Sequence, residues 1–263
     1  MGPVSRRSPY GPRRDQVGDL RLPPGPAPGR GHPVVVLLHG GFWKAMYGKW
    51  LMNRLSADLA RRGWAAWNIE YRRLGLLGGG GWPATFEDVA AGIDHLARLA
   101  ETHTLDLDRV VTVGHSAGGH LALWAAGRPR LPDGAPGDPG PRSVTVTAAV
   151  SLAGVPDLAE AARLSAGDGA VARLLGGGPD DHPDRYAMAS PAALLPLGVP
   201  QVLVHGTDDR TVRPILSERY VEQALAAGDA VELVEVPGAG HWAPIKPGSS
   251  AWAAAAERLE SFR

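Results

Sequence analysis

Val34-Val35-Val36-Leu37-Leu38 is an unbroken run of β-branched and aliphatic residues. A strand with one face in water alternates apolar and polar side chains. One without that alternation is covered on both faces, as in a parallel sheet held between helical layers. Comparable runs recur at Trp64–Glu70, Arg109–Val113, Val144–Leu152, Gln201–His205 and Val231–Val236, with helical patterns between them. In Thr85–Glu101, Phe86, Val89, Ala90, Ile93, Leu96, Ala97 and Ala100 fall at three- and four-residue steps and form one apolar stripe, opened by a Thr85/Asp88 capping box. Trp50–Arg62 stops at Gly63, Arg213–Ala227 stops at Gly228, and Ser249–Phe262 is the last such segment. The alternation predicts an α/β fold: a mainly parallel, twisted sheet with right-handed crossovers that place helices on both faces.

No repeat and no shift in composition divides the chain, so one domain is expected over residues 13–263, preceded by a disordered tail at 1–12. The 35 Gly and 24 Pro among 263 residues predict many turns, and Gly127–Pro141 reads as a loop. Residues at about 155–200 interrupt the alternation with short helical pieces and read as a small cap. Basic and acidic side chains number 27 each, which argues against an unselective partner for nucleic acid or a membrane surface. With no cysteine, thiol nucleophiles, iron–sulfur clusters and Cys-based zinc sites are excluded. Arg6-Arg7 is followed by no apolar stretch long enough for an export signal, and Val34–Leu38 is too short to span a bilayer, so a cytoplasmic location is expected. Leu77-Gly78-Gly79-Gly80-Gly81 lacks both dinucleotide spacing and the lysine of a phosphate loop. It reads as a flexible entrance loop, and no cofactor is implied.

The chemistry is concentrated in Gly114-His115-Ser116-Ala117-Gly118, which follows strand Val110–Val113 and precedes the helical run Gly119–Ala126. In that setting G-x-S-x-G is a nucleophile elbow, a turn tight enough to project a serine hydroxyl from the end of a strand. A serine attacks only when a base takes its proton, so a histidine and an orienting carboxylate are required, in the chain order serine, acid, histidine. The loop after Gln201–His205 carries Asp208 and Asp209, and His241 is the sole histidine beyond them. Adjacent loop residues cannot both face one imidazole, and the residues alone leave Asp208 and Asp209 open. His205 reads as closing its strand, His39 as ordering the loop it opens, and His115 as filling the variable position of the elbow. His115 and His120 do not have the spacing of a zinc helix, and no metal is expected.

Acyl transfer also needs donors for the oxyanion, each worth about 3 to 4 kcal/mol. His39-Gly40-Gly41-Phe42-Trp43, directly after the first buried strand, is suited to supply them. Of the eight tryptophans, Trp43, Trp82 and Trp242 lie beside these loops, and they are taken as candidate walls of a substrate pocket suited to aromatic groups.

From about Tyr10 to the last helix the chain resembles the α/β-hydrolase superfamily. The resemblance rests on H-G-G-x-W at His39–Trp43, G-H-S-A-G at Gly114–Gly118 and H-G-x-x-D-x-x-V at His205–Val212. It places Asp209 in the acid position, with Asp208 the alternative and Arg213 where a proline is usual. It also assigns the oxyanion hole to the amides of Gly41 or Phe42 together with Ala117. Glu70-Tyr71-Arg72 is similar to the D-Y-R strand end of carboxylesterases, where the arginine and tyrosine tie down neighbouring loops. The activity implied is hydrolysis of a small or medium-sized carboxylic ester, aromatic esters included, by Ser116, His241 and Asp209 through an acyl-enzyme. Kynurenine formamidase, acting on an N-formyl aromatic amide, shares the same motifs. A prolyl-oligopeptidase-like peptidase and a non-catalytic small-ligand receptor follow as weaker readings.

Overall fold

The computed structural model describes residues 5–75, 78–164 and 169–263. Its eight-stranded sheet has the order β1-β2-β4-β3-β5-β6-β7-β8. The strands are β1 (Ser5–Pro9), β2 (Val17–Arg21), β3 (His32–Leu38), β4 (Ala65–Ile69), β5 (Leu105–His115), β6 (Ala148–Leu152), β7 (Gln201–Gly206) and β8 (Val231–Val236). From β4 to β8 all neighbours are parallel, while β1–β2 and β2–β4 are antiparallel.

The unbroken apolar run of β3 has the cause expected of it. Val34, Val36 and Leu38 enter one core and Val35 and Leu37 the other, because successive side chains leave opposite faces of a strand. The first core is covered by α2 (Ala84–Asp94), α3 (Leu96–Ala100), α4 (Ala117–Ala126), α5 (Leu158–Arg163), α6 (Ala170–Leu175), α7 (Pro183–Ala189) and α8 (Ile215–Ala226). The second is covered by α1 (Asn53–Arg61) and α9 (Ser250–Glu260), the latter capped by Ser249 Oγ accepting from Trp252 N at 3.1 Å. Three of the helices, α5 to α7, lie in the stretch read as a cap between β6 and β7.

The expectation of a disordered tail over 1–12 is corrected: Ser5–Pro9 forms the edge strand β1, and residues 1–4 lie outside the described residues. Its polar sequence carries no strand pattern. Pairing with β2 creates it, helped by Arg7 bonding Asp19 at 3.1 Å and Ser8 bonding His95 at 2.9 Å. The long helix expected over Thr85–Glu101 divides at His95 into α2 and α3. The capping box does not form. Thr85 Oγ1 accepts from Gly81 N at 2.9 Å and donates to Arg72 O at 2.7 Å, while Asp88 turns to Arg72. Of the glycine stretch read as an entrance loop, Leu77 lies outside the described residues. Gly78 and Gly80 donate to the carbonyls of Gly75 and Arg73 at 3.0 and 2.9 Å, so this part of the loop is stitched down. Among the described residues no helix is long and apolar enough to cross a membrane.

Chain order reverses at β3, whose neighbours are β4 on one side and β5 on the other. Such a switch point opens a crevice at the carboxyl ends of the strands. Leu38 stands opposite Gly114 and Gly206 opposite Val236, so the loops after β3, β5, β7 and β8 all emerge at that edge.

Candidate active site

Ser116 sits between the end of β5 and the first turn of α4 with φ 55° and ψ −119°. A residue with a Cβ is strained there, and such strain persists only where the surroundings impose it. The imposing contacts are close. A Cβ on Gly114 would stand 1.9 Å from Gly118 O, and one on Gly118 would stand 2.1 Å from Leu38 O. Only glycine on each side lets the turn close and rest against β3. Ser116 N donates to Leu152 O at 2.9 Å, tying the turn to β6 as well. Ala117 opens α4, so its N–H belongs to the first turn, where amides have no partner within the helix.

In the loop after β7, the structure brings Asp209 to His241 and leaves Asp208 exposed beside Thr207. Asp209 Oδ2 accepts from His241 Nδ1 at 2.7 Å, and Oδ1 accepts from the amides of Thr211 and Val212 at 2.8 and 2.9 Å. Burial alone would raise the Asp209 pKa. Hydrogen bonds from His205 and His241, the charge of His241 and the Val212 amide outweigh it and hold the carboxyl well below its usual range. An ionised carboxylate only accepts, so the proton of a neutral His241 sits on Nδ1 and Nε2 keeps its lone pair.

Two further histidines, His205 and His115, brace this pair. His205 Nε2 donates to Val212 O at 2.9 Å and lies 3.3 Å from Asp209 Oδ2, while its Nδ1 accepts from Ser217 Oγ at 2.7 Å. His115 Nε2 donates to the main-chain carbonyl of His241 at 2.8 Å, and the two rings lie 4.7 Å apart. His115 thus joins the residue next to Ser116 to the backbone of the histidine 126 positions away. Burial, then repulsion from His241, lowers its pKa to about 3, so it works as a neutral donor. No local pattern marks such a role, because it depends on two loops meeting.

The loop after β3 takes an uncommon course. Gly41, Phe42 and Trp43 have φ of 111°, 56° and 56°, a succession of left-handed residues of which two carry side chains. The loop is held by Lys44 N donating to Gly41 O at 2.9 Å and Leu74 N donating to Trp43 O at 2.6 Å. Below it, His39 bonds Glu70 Oε1 at 2.6 Å, and Tyr71 donates to His39 O at 2.7 Å. Burial opposes ionisation of Glu70, but the bond and charge of His39, with Arg73 and the Lys49 amide, keep its pKa below the usual value. Arg72 grips Asp88 on α2 at 2.7 Å, so the Tyr71 and Arg72 pair does tie down neighbouring segments.

Phe42, Trp43, Ser116, Ala117, Val155, Ala170, Val171, Thr211 and Val212 line one small pocket, with a cavity volume of about 10 Å³. The elbow, the β3 loop and the Asp209 loop therefore share a single cavity, to which α6 adds Ala170 and Val171. Of the three indoles taken as candidate walls, Trp43 lines this pocket, and Trp82 and Trp242 do not. Trp82 turns its ring onto Phe86 of α2 at 5.2 Å, and Trp242 stands 41% exposed with its ring edge-on to His241 at 5.5 Å. Apolar contact with the nearest helix decides the direction of Trp82, which nearness in sequence does not. Among the described residues no cluster of His, Asp or Glu could hold a metal ion.

Residues 19–224 match the BD-FAE family. Among curated proteins, the chain is 29% identical over 238 residues to esterase LipQ of Mycobacterium tuberculosis, an alignment covering 89% of this chain and 56% of LipQ. It is 28% identical to esterase LipC of the same organism over 225 residues, covering 80% of this chain and 52% of LipC. The chain thus spans about half the length of these relatives. Among solved structures, a truncated carbohydrate esterase from gut microbiota superposes with a TM-score of 0.80 at 20% identity, covering 100% of this chain and 99% of that one. Esterase 2 of Thermogutta terrifontis gives 0.77 at 24% identity, covering 98% and 91%. With its switch-point crevice, its elbow and these matches, the chain is a member of the BD-FAE family and has the α/β-hydrolase fold.

Proposed function

We propose that this protein is a serine carboxylesterase. The observation that carries the reading is the Asp209–His241 bond at 2.7 Å, with His241 joined through its own carbonyl to the residue beside the strained Ser116. In this mechanism His241 Nε2 takes the Ser116 proton as Oγ attacks the ester carbonyl, while Asp209 stabilises the imidazolium that forms. The amides of Ala117 and of Gly41 or Phe42 receive the oxyanion. His241 gives its proton to the departing alcohol, and water then attacks the acyl-enzyme with His241 again as base, restoring Ser116.

The leaving alcohol must depart next to His241, and His241 is not among the walls of the pocket. The pocket therefore takes the acyl side. Val155, Ala170, Val171 and Val212 make this small pocket apolar, which favours short acyl groups. The formamidase reading gains nothing from the curated relatives, which are named as esterases.

The test is turnover of p-nitrophenyl acetate and butyrate beside N-formylkynurenine. Ester hydrolysis that disappears in Ser116→Ala supports the proposal. Turnover of the formamide alone, or of neither class, overturns it.

A further inference from the structure

His39 is fully buried, and each of its ring nitrogens faces an oxygen: Nδ1 lies 2.8 Å from Gly40 O and Nε2 lies 2.6 Å from Glu70 Oε1. A carbonyl oxygen can only accept, so Nδ1 carries a proton. Glu70 is surrounded by other donors, the Lys49 amide at 3.0 Å, the Tyr71 amide at 3.3 Å and the Arg73 guanidinium at 3.4 Å, which stabilise its carboxylate form. Nε2 must then carry a proton too. The remaining neighbours agree. Arg73 is paired in turn with Asp15 at 3.2 Å, and the Tyr71 ring stacks on the imidazole at 4.3 Å with 6° between the planes. Signs alternate along Asp15, Arg73, Glu70 and His39, so a cation at the buried end is balanced.

The group that His39 holds matters for chemistry. Gly40 O belongs to the same peptide unit as the Gly41 N–H, and in a trans peptide the two point in opposite directions. Anchoring the carbonyl toward His39 turns the amide away from it. A hydrogen bond from a cation to that carbonyl also polarises the N–H across the unit. The unit lies against the elbow: a Cβ on Gly40 would stand 2.6 Å from His115 O and 3.0 Å from Ser116 Cβ.

We propose that Glu70 keeps His39 as an imidazolium, and that this buried ion pair is the positioning device of the oxyanion hole, fixing the Gly40–Gly41 peptide so that the Gly41 amide faces the reacting carbonyl. The proposal rests on the esterase reading for its catalytic consequence, but not for the charge state of His39.

Two measurements test it. In ¹⁵N-edited NMR of the wild-type protein at pH 8, with His39 assigned by comparison with His39→Gln, both ring nitrogens should appear protonated; one bare nitrogen overturns the proposal. In Glu70→Gln, which keeps the shape of the side chain but removes its charge, His39 should lose one ring proton. kcat should fall on the order of 10- to 100-fold with KM within about twofold, since an oxyanion donor acts on the transition state. Glu70→Asp should recover part of that loss. An unchanged kcat in Glu70→Gln, or a loss carried by KM alone, also overturns it. A wild-type protein that hydrolyses no ester would sink the esterase reading, while the NMR result still decides the charge of His39.

Discussion

The imidazole of His115 is bonded to the main-chain carbonyl of His241 at 2.8 Å, so the variable position of the elbow fixes the loop that carries His241. Small misplacements of a reacting group cost rate steeply. His115→Ala should lower kcat by about 10- to 100-fold. His115→Gln, which can still present an N–H to that carbonyl, should lose less. Steady-state kinetics on p-nitrophenyl acetate decides the matter, and equal rates in wild type and His115→Ala would contradict this role.

Asp208 and Asp209 are neighbours with opposite surroundings, one in solvent and one against His241. Ser116→Ala and His241→Ala should each reduce kcat by about 10⁴ to 10⁶, and Asp209→Ala somewhat less. Asp208→Ala should stay near wild type. A reversed order for the two aspartate variants would move the acid to Asp208.

Folding stability should fall in mild acid because of two buried histidines. His115 and His120 have pKa values lowered from the usual 6.5 to about 3 and about 4, with burial the largest cause in each. Between those values and 6.5 the unfolded chain binds more protons than the folded one. Their stabilising contribution is therefore complete above pH 6.5 and is lost as pH falls toward 4 and then 3. Each group adds a slope of about 1.4 kcal/mol per pH unit within its window. His120→Gln, able to keep a bond to the Ala189 carbonyl that His120 now serves, should flatten the curve of melting temperature between pH 6.5 and 4. Parallel curves for variant and wild type would refute the assignment.

The sheet and the elbow were legible in the chain because each rests on a local signal, whereas only the resemblance, and not the residues alone, favoured Asp209 over Asp208 as the partner of His241. An apolar run marks a doubly covered strand, and paired glycines mark a turn that tolerates no Cβ. What could not be read depends on how segments pack against one another. Ser5–Pro9 becomes a strand by pairing with β2, Thr85 leaves its expected cap for the Gly81 amide and the Arg72 carbonyl, and Trp82 turns to Phe86. The bracing roles of His115 and His205 were hidden for the same reason. Each histidine looked like an ordinary member of its motif until the loops were seen together.

Val171 of α6 lines the pocket together with Ser116 and Ala117 of the elbow. On the esterase reading, kcat/KM should fall at least about tenfold from butyrate to decanoate esters, since an acyl chain that outgrows the pocket must leave apolar walls. Val171→Ala should shift the preference toward longer chains. A profile that rises with chain length in the wild type would show that the acyl group lies elsewhere.

Reaction with a fluorophosphonate followed by peptide mass spectrometry tests whether Ser116 is the nucleophile. A single adduct should form on Ser116, much more slowly in His241→Ala, with ester turnover lost in proportion to labelling. Full turnover by the labelled protein, or an adduct on some other residue with Ser116 untouched, would contradict it.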